Sequence, residues 1–190
     1  MEVIERKIVY IFIDAANLWE VQKAKGQFID HEKLKIYIKN RFQPSDFEIF
    51  YYTAYPAEGT RDYSLDGKHK FLVYLEKGLG YTVRKKELKR ITIINEFGQT
   101  IKEKGNMDVE ITVDALHNVN KYDIAILFTG DCDFLSLISY LRNAGKVVYI
   151  FSSKNNISTE LRTGADRYFE ILDIQDNIWG PKLRHRNEKV

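Results

Sequence analysis

The stretch Ile124-Ala-Ile-Leu-Phe-Thr-Gly-Asp-Cys-Asp-Phe134 decides the fold, because a short apolar run leads directly into two aspartates and then a helical pattern. An apolar run bounded by turn residues is typical of a strand that is buried on both faces. The segment Ile8-Val-Tyr-Ile-Phe-Ile-Asp-Ala-Ala-Asn17 repeats this arrangement with one aspartate. Open α/β sheets bind ligands beyond the carboxyl ends of such strands. Asp14, Asp131 and Asp133 are therefore predicted at a ligand-binding edge.

Strands and helices alternate along the rest of the chain. Apolar and β-branched runs predict strands at 8–13, 47–53, 81–88, 90–95, 124–128, 146–151 and 168–172, and amphipathic segments predict helices at 31–41, 63–77, 106–118 and 133–144. This alternation is typical of an α/β fold with a mostly parallel sheet and helices on both faces. We expect one domain over residues 1–180 and a basic, flexible tail over residues 181–190.

The composition excludes several classes of protein. With 190 residues, 44% hydrophobic and 29% charged, the chain can bury a core and is ordinary for a globular protein. No apolar run approaches the roughly 20 residues that span a bilayer, so no membrane partner is expected. The start Met-Glu-Val-Ile-Glu-Arg-Lys carries acids and leads into a strand, unlike a signal peptide. Cys132 is the single cysteine, which favours a reducing, cytoplasmic setting.

Basic residues concentrate between positions 84 and 104, where seven of them stand against three acids. Because Gly98 marks a turn there, we predict an antiparallel hairpin that carries the positive charge. An acidic body with basic appendages suits a protein that holds a metal and binds phosphates. Charge runs of this kind are as often solvated loops. The candidates for contact with a phosphate backbone are Lys85, Lys86, Lys89, Arg90 and Lys104.

Four aspartates form the candidate catalytic set. Asp108 opens an apolar-periodic helix, whereas Asp14, Asp131 and Asp133 follow strands. Carboxylates that share a site repel each other and raise each other's pKa unless a cation joins them. Oxygen ligands alone favour Mg²⁺ or Mn²⁺ over zinc, and such an ion activates water and stabilises charge on a phosphodiester oxygen. The sequence therefore predicts a metal-dependent hydrolase.

Each of these residues also has a purely structural interpretation. Aspartate is a favoured helix N-cap. Asp133 lies closer to the next helix than Asp131 does, so we expect Asp133 to cap that helix. Asp131 is then the expected metal ligand. The helix dipole alone favours Asp108 in a first helical turn. Asn17 either contacts a substrate phosphate or orients a water, or it caps the helix that starts there. Asp114 lies six positions after Asp108, about 600° around a helix, and should point away from it.

Several motifs, taken in order, resemble the NYN domain family, the PIN-like ribonucleases that include LabA-type proteins. The matching pieces are Ile11-Phe-Ile-Asp-Ala-Ala-Asn-Leu18, Lys104-Gly-Asn-Met-Asp-Val-Glu-Ile-Thr-Val-Asp-Ala-Leu116, Tyr122-Asp-Ile-Ala-Ile-Leu-Phe-Thr-Gly-Asp-Cys-Asp-Phe134, Leu141-Arg-Asn-Ala-Gly-Lys-Val-Val148, Ser158-Thr-Glu-Leu161 and Ala165-Asp-Arg-Tyr-Phe169. The resemblance covers residues 7–173 and rests on the order and spacing of the pieces. It implies a PIN-like three-layer α/β/α sandwich, acidic residues around Mg²⁺ or Mn²⁺, endoribonuclease activity and, as is frequent in such proteins, a homodimer.

The resemblance also assigns roles to individual residues. The metal-binding and catalytic positions carried over by motif are Asp14, Asp108, Asp131 and Asp133. Asn17 matches the asparagine beside the first aspartate. Apart from the resemblance, we assign Asn17, Thr129 and the basic residues named above to the binding of substrate. Asp114 and Asp166 match recurrent acidic positions whose roles stay open, although a cap or an ion pair is the simpler role for Asp166. Ala15-Ala16 stands where many members have a glycine or a glutamate, which bears on how substrate approaches.

The leading prediction is an endoribonuclease that cuts single-stranded RNA. Tyr51, Tyr52 and Tyr55 are candidates for stacking on its unpaired bases, although a place in the core or at its rim is the simpler interpretation of these tyrosines. The alternative is a non-catalytic RNA- or DNA-binding regulatory module that retains the nuclease fold. A phosphatase with an aspartyl nucleophile commonly has a second aspartate two residues after the first, but Ala16 stands there. A Toprim-like enzyme shares the Asp-x-Asp pattern but expects a glutamate in place of Asp14.

Overall fold

The computed structural model describes residues 7–61, 64–95, 98–175 and 178–183. Its strands are β1 (Ile8–Asp14), β2 (Gln27–Ile29), β3 (Asp46–Tyr55), β4 (Thr82–Glu87), β5 (Lys89–Asn95), β6 (Gly98–Lys104), β7 (Ile124–Phe128), β8 (Val147–Ser152), β9 (Arg167–Glu170) and β10 (Trp179–Lys182). Its α-helices are α1 (Ala15–Lys25), α2 (His31–Phe42), α3 (Asp66–Val73), α4 (Asp108–His117), α5 (Leu135–Asn143) and α6 (Thr159–Gly164). None of the helices within these ranges is both long and apolar enough to cross a membrane.

One wholly parallel sheet has the strand order β4-β3-β1-β7-β8-β9. The chain proceeds outward from β1 to β3 and β4, returns to the centre at β7, and proceeds outward again to β8 and β9. The order therefore reverses between β1 and β7, which creates the crevice where doubly wound sheets bind ligands. Ile13 pairs with Phe128, so β1 and β7 end side by side and Asp14 lies next to the loop that follows β7.

Two hydrophobic clusters, one on each face of the sheet, form the core. Alternate residues of β1 divide between them. Ile11 and Ile13 pack in the cluster that includes α1, α2 and α3, whereas Tyr10 and Phe12 pack in the cluster that includes α4, α5 and α6. A central parallel strand needs apolar side chains on both faces, which is why β1 reads as an uninterrupted apolar run. The expected three-layer α/β/α sandwich with a mostly parallel sheet is confirmed.

The basic hairpin is present but begins later than the sequence indicated. β5 and β6 pair in antiparallel fashion, starting with Lys89 opposite Lys104. The preceding segment joins the parallel sheet instead, as β4 beside β3. Val83 packs against the core from this position, a contact that a projecting hairpin would not give it. Lys85 and Lys86 are therefore edge-strand residues and not hairpin residues.

Several other element boundaries differ by a few residues from the sequence-based expectation, and two of them follow from local hydrogen bonds. A 3₁₀ turn over Cys132–Phe134 precedes α5, which begins at Leu135 and not at residue 133. The strand expected over 168–172 ends at Glu170, because the Glu170 side chain accepts a hydrogen bond from the Leu172 N–H and starts a 3₁₀ turn there. Local capping bonds set both boundaries.

The C-terminal segment is folded further than the expected tail boundary at residue 181. β10 pairs with β2, with Lys182 opposite Gln27. The Leu183 N–H donates a hydrogen bond to the Gly26 carbonyl at 2.9 Å. These backbone bonds hold residues 181–183 against the domain, and residues 184–190 of the expected tail lie outside the described residues.

Candidate active site

Asp14 ends β1 and caps α1. Its Oδ1 accepts a hydrogen bond from the Ala16 N–H at 2.9 Å, and its Oδ2 accepts one from Asn17 Nδ2 at 2.6 Å. Only 5% of the residue is exposed. Burial raises the pKa of the Asp14 carboxyl; the bonds from Asn17 and Ala16 oppose that rise, and the charge of Asp131 adds to it. A bound cation would stabilise the ionised form of this carboxyl.

Asn17 links the ends of three strands through one amide. Its Nδ2 donates to Asp14 after β1, and its Oδ1 accepts hydrogen bonds from the Gly130 N–H after β7 and from Asn156 Nδ2 after β8, both at 3.1 Å. Both ends of the amide are therefore bonded within the protein. This arrangement favours a positioning role for Asn17 over direct contact with a substrate phosphate.

Gly130 lets the loops after β7 and β8 meet. A Cβ at this residue would lie 2.1 Å from the Asn156 carbonyl oxygen and 2.9 Å from Ser152 Oγ, so no larger residue fits without a backbone shift. The neighbouring Thr129 is 3% exposed, and its Oγ1 accepts a hydrogen bond from the Asp131 N–H at 3.2 Å. Thr129, which the sequence analysis assigned to substrate binding, is buried and supports the loop after β7 through this hydrogen bond.

Asp131, not Asp133, is the N-cap. The Asp131 Oδ1 accepts a hydrogen bond from the Asp133 N–H at 3.0 Å, at the start of the 3₁₀ turn that leads into α5. The expectation that Asp133 caps the helix is wrong, because the extra 3₁₀ turn moves the capping position back by two residues. Among the described residues the Asp131 Oδ2 has no hydrogen-bond donor, so this oxygen stays available to a ligand.

Asp108 is the first residue of α4, on the opposite face of the sheet from α1. Asn106 Nδ2 donates a hydrogen bond to its Oδ2. Partial burial raises the pKa of Asp108, and the negative charges of Asp14, Asp131 and Asp133 raise it further, while Asn106 opposes the rise. The four predicted aspartates are thus close enough for their charges to interact.

A cavity of about 380 Å³, here called the acidic cavity, opens between these elements and is lined in part by Asp14, Asp108 and Asp131. Asp133 is exposed and does not line it. One oxygen each from Asp131 and Asp133 and the Cys132 Sγ lie within 4.8 Å of one another, and Asp14 and Asp108 are outside this tight group. The structure therefore gathers three of the four carboxylates at one cavity, with Asp133 beside Asp131 outside it, and does not close them around a single point.

The donor set fits a hard divalent cation. Carboxylate oxygens are the ligands that Mg²⁺ and Mn²⁺ prefer, and the raised pKa values of Asp14 and Asp108 show carboxyls that would gain from a positive charge. Thiolate is a ligand for softer metals, but Cys132 is exposed and does not line the acidic cavity. The site therefore favours oxygen coordination.

Lys68 is a cavity residue that the sequence did not indicate. It lies on α3, lines the acidic cavity, and donates a hydrogen bond from Nζ to the Ala54 carbonyl at 2.9 Å. Burial lowers the pKa of its ammonium group. A lone lysine in an amphipathic helix carries no local signal of its target. Asn156 was also missed, although its place shortly after a buried strand is the same kind of signal that pointed to Asp131.

Two of the predicted basic residues flank the acidic cavity. Lys89 and Lys104 face each other at the base of the hairpin, and both are exposed. Their chain neighbours Leu88 and Gly105 line the cavity. A Cβ on Gly105 would lie 2.8 Å from the Leu88 side chain, so this glycine permits the close approach of the two chains. The hairpin base therefore brings positive charge to the rim.

The other basic candidates lie in ion pairs or on the sheet edge. Lys86 Nζ lies 2.7 Å from a Glu110 carboxylate oxygen, and Arg90 Nε lies 3.9 Å from Glu103. Lys85 is exposed on β4. A partly exposed pair such as Lys86–Glu110 contributes little to stability, about 0–1 kcal/mol, and can be opened by a competing anion.

Two of the three tyrosines considered for base stacking are core residues, which agrees with the simpler interpretation of them. Tyr51 is 8% exposed and Tyr52 is fully buried, with its hydroxyl donating to Asp114 at 3.0 Å. Because β3 is a central strand, its aromatic side chains fill the core on both faces. Trp19 is 42% exposed and lines the acidic cavity, so its ring is open to a ligand there.

Asp114 and Asp166 have structural partners. The Asp114 carboxylate accepts hydrogen bonds from Arg84 Nε at 2.9 Å and from the Tyr52 hydroxyl, and it does not line the acidic cavity. Asp166 lies 3.1 Å from Arg142 in an ion pair, the simpler of the two roles considered for it. Neither residue lines the acidic cavity.

Known proteins share both the sequence pattern and the fold of this chain. Residues 8–173 match the family model described as the NYN domain. The chain is 34% identical over 169 residues to the low amplitude and bright protein LabA of Synechococcus elongatus, across 88% of this chain and 86% of that protein. Its fold is similar to the crystal structure of a protein of unknown function from Vibrio parahaemolyticus, with a TM-score of 0.70 and 21% identity over 95% of this chain and 100% of the other. The family match spans all four aspartates.

Proposed function

This chain belongs to the NYN domain family, and we propose that it is a metal-dependent endoribonuclease that hydrolyses RNA phosphodiester bonds. The observation that carries the proposal is the meeting of Asp14, Asp108 and Asp131 in one cavity at the reversal point of the strand order. A protein that only binds a polyanion gains little from acidic groups at its ligand crevice. The same groups are useful when a cation joins them to the phosphate.

Asp14, Asp108, Asp131 and Asp133 would hold Mg²⁺ or Mn²⁺. When bound, the ion would supply an activated water and neutralise charge on the reacting phosphodiester. Asn17 orients the Asp14 carboxylate through its Nδ2 and holds the loop after β7 through its Oδ1. Thr129 supports the Asp131 backbone from beneath. These bonds fix the relative positions of the acids, and correct positioning is a large part of catalytic power.

The proposed substrate is single-stranded RNA. Its backbone would cross the acidic cavity beside the base of the hairpin, where Lys89 and Lys104 offset the phosphate charge. Lys68 adds a partly buried cation inside the cavity. The positive surface is extended by Lys85, Lys86 and Arg90.

The proposed setting is the cytoplasm, where the single cysteine of the chain stays reduced. A homodimer is the proposed assembly, by resemblance to PIN-like proteins. Sedimentation of the purified protein at micromolar concentration would test the dimer, and a purely monomeric species would contradict it.

The test is a cleavage assay with end-labelled single- and double-stranded RNA and DNA, each incubated with Mn²⁺, Mg²⁺ or EDTA. We expect internal cleavage of single-stranded RNA that requires the metal and is lost in Asp14→Asn. Salt-sensitive RNA binding without cleavage under every metal condition would refute the enzyme and support the non-catalytic binding module.

A further inference from the structure

A second cavity, of about 520 Å³, adjoins the acidic one and is here called the aromatic cavity. Ala15, Trp19, Thr53 and Lys68 line both cavities. The two spaces therefore share a wall. A chain that lies across the four aspartates would reach the aromatic cavity with its nearest substituent.

Aromatic rings form the mouth and the floor of the aromatic cavity. Trp19 from α1 and Phe28 from β2 stand at its mouth, 42% and 43% exposed, with ring centroids 6.2 Å apart. Deeper in the wall, the ring of His31 lies 5.4 Å from the ring of Phe71. Aromatic side chains exposed beside a phosphate site are the usual platform for unpaired bases, which stack on them whatever their sequence.

The polar groups of this wall are few and mostly neutral. Gln22 Oε1 accepts a hydrogen bond from the Ile29 N–H at 2.8 Å, which leaves the amide nitrogen of Gln22 as a donor. His31 Nδ1 is buried without a hydrogen-bond partner among the described residues, and burial lowers the pKa of His31 to about 4, so the ring is neutral at pH 7. Neutral donors and acceptors beside aromatic rings suit an uncharged heteroaromatic ring better than a phosphate.

We propose that the aromatic cavity binds one unpaired nucleobase of the RNA, next to the phosphodiester that the acidic cavity holds. The inference rests on the proposed function for the identity of the substrate. Trp19 and Phe28 stack on the base, and Gln22 meets its polar edge. Lys68, which lines both cavities, offsets the charge of the phosphate that joins the bound base to the reacting position.

Trp19 itself reports occupancy of the cavity. The chain has two tryptophans, and Trp179 is only 3% exposed. A base that stacks on Trp19 should therefore quench the part of the tryptophan fluorescence that comes from Trp19. Titrations use a short single-stranded RNA and the Asp131→Asn chain, so that binding is read without cleavage. Trp19→Phe in that chain should keep the affinity, since the ring is retained, and lose the quenching.

Affinity gives the second readout. Trp19→Ala and Phe28→Ala should each weaken RNA binding by about 5- to 150-fold, the range that alanine substitution gives for one stacked base. Tyr140→Ala is the matched control, because Tyr140 is 53% exposed on α5, away from both cavities. A melting temperature equal to that of the parent chain shows that a variant is folded. If Trp19→Ala or Phe28→Ala fails to fold, the affinity of the other variant is the test, since Trp19 and Phe28 lie on different elements.

The outcomes separate the two proposals. RNA binding that is weakened by Trp19→Ala and by a single abasic nucleotide, without any cleavage by the unmodified chain, would refute the nuclease and leave the aromatic cavity standing. Equal RNA affinities of Trp19→Ala and Tyr140→Ala, or no RNA binding at all, would overturn the proposal that the aromatic cavity binds a base. Free mononucleotides that bind as tightly as the RNA would also overturn it, because the site would then serve free nucleotides.

Discussion

Replacement of Asn17 by alanine tests whether one side chain holds the site together. The change removes a charge-assisted bond of 2.6 Å to Asp14 and two bonds of 3.1 Å from Gly130 and Asn156. A hydrogen bond to a charged group contributes about 1.5–3 kcal/mol and a neutral one about 0.5–1.5 kcal/mol. Asn17 is half-buried, so water replaces part of the loss, and we expect the lower end of the sum, about 2–3 kcal/mol.

Urea unfolding in EDTA measures this loss against Asn155→Ala, an exposed asparagine in the loop after β8 that should change stability by less than about 0.5 kcal/mol. For a chain of this length the Asn17 loss corresponds to a melting temperature lower by about 4–12 °C. Because the bond from Asn17 lowers the pKa of Asp14, its removal should also raise that pKa further. If Asn17→Ala and Asn155→Ala have equal stabilities, the three-strand link is not what holds the site.

Three other predictions follow from the geometry. The pKa of Asp108 is raised above 3.8, so ionisation of this carboxyl lowers the stability of the folded state. In EDTA, Asp108→Asn should therefore become more stable relative to wild type as the pH rises above that value, and Mn²⁺ should reverse the difference. A stability difference that does not depend on pH would contradict the repulsion between the carboxylates. Gly130→Ala should lower the free energy of unfolding by about 1–3 kcal/mol or more, because its Cβ would lie 2.1 Å from a backbone oxygen. Gly67→Ala is the control, since open space surrounds Gly67 in α3 and the change should not lower stability. Equal losses of stability in the two variants would rule out the close loop contact. Lys89→Ala and Lys104→Ala should each lower the slope of log binding constant against log salt by about 0.7 for single-stranded RNA, and an unchanged slope would remove the hairpin base from the RNA contact.

The parts of the fold that depend on local pattern could be predicted from the sequence. β1 and β7 are apolar on both faces because helices cover both faces of the sheet, so their runs are continuous. The aspartates that follow these runs lie at one edge because parallel strands share their carboxyl ends. Asp114 was separated from Asp108 by helix periodicity alone, and its bonds to Arg84 and Tyr52 agree with that.

Features that depend on long-range contacts could not be predicted. The start of the hairpin depends on Val83 packing against the core beside β3, which adds a strand to the sheet before the hairpin begins. The role of Asn17 depends on Asn156, a residue 139 positions away. Lys68 reaches the cavity only because α3 packs near the end of β3. In each case the partner is distant in sequence, and periodicity carries no information about it.

In the function that we propose, the aspartates after β1 and β7 form a metal-dependent nuclease site. The most direct measurement is the single-turnover rate of single-stranded RNA cleavage as a function of Mn²⁺ concentration for wild type, Asp131→Asn and Asp46→Asn. Asp46 begins β3, at the opposite edge of the sheet, and controls for loss of one carboxylate. We predict a saturable dependence on Mn²⁺ for wild type and Asp46→Asn and no cleavage by a folded Asp131→Asn. Cleavage by Asp131→Asn at the wild-type rate, or cleavage by wild type in EDTA, would contradict the account.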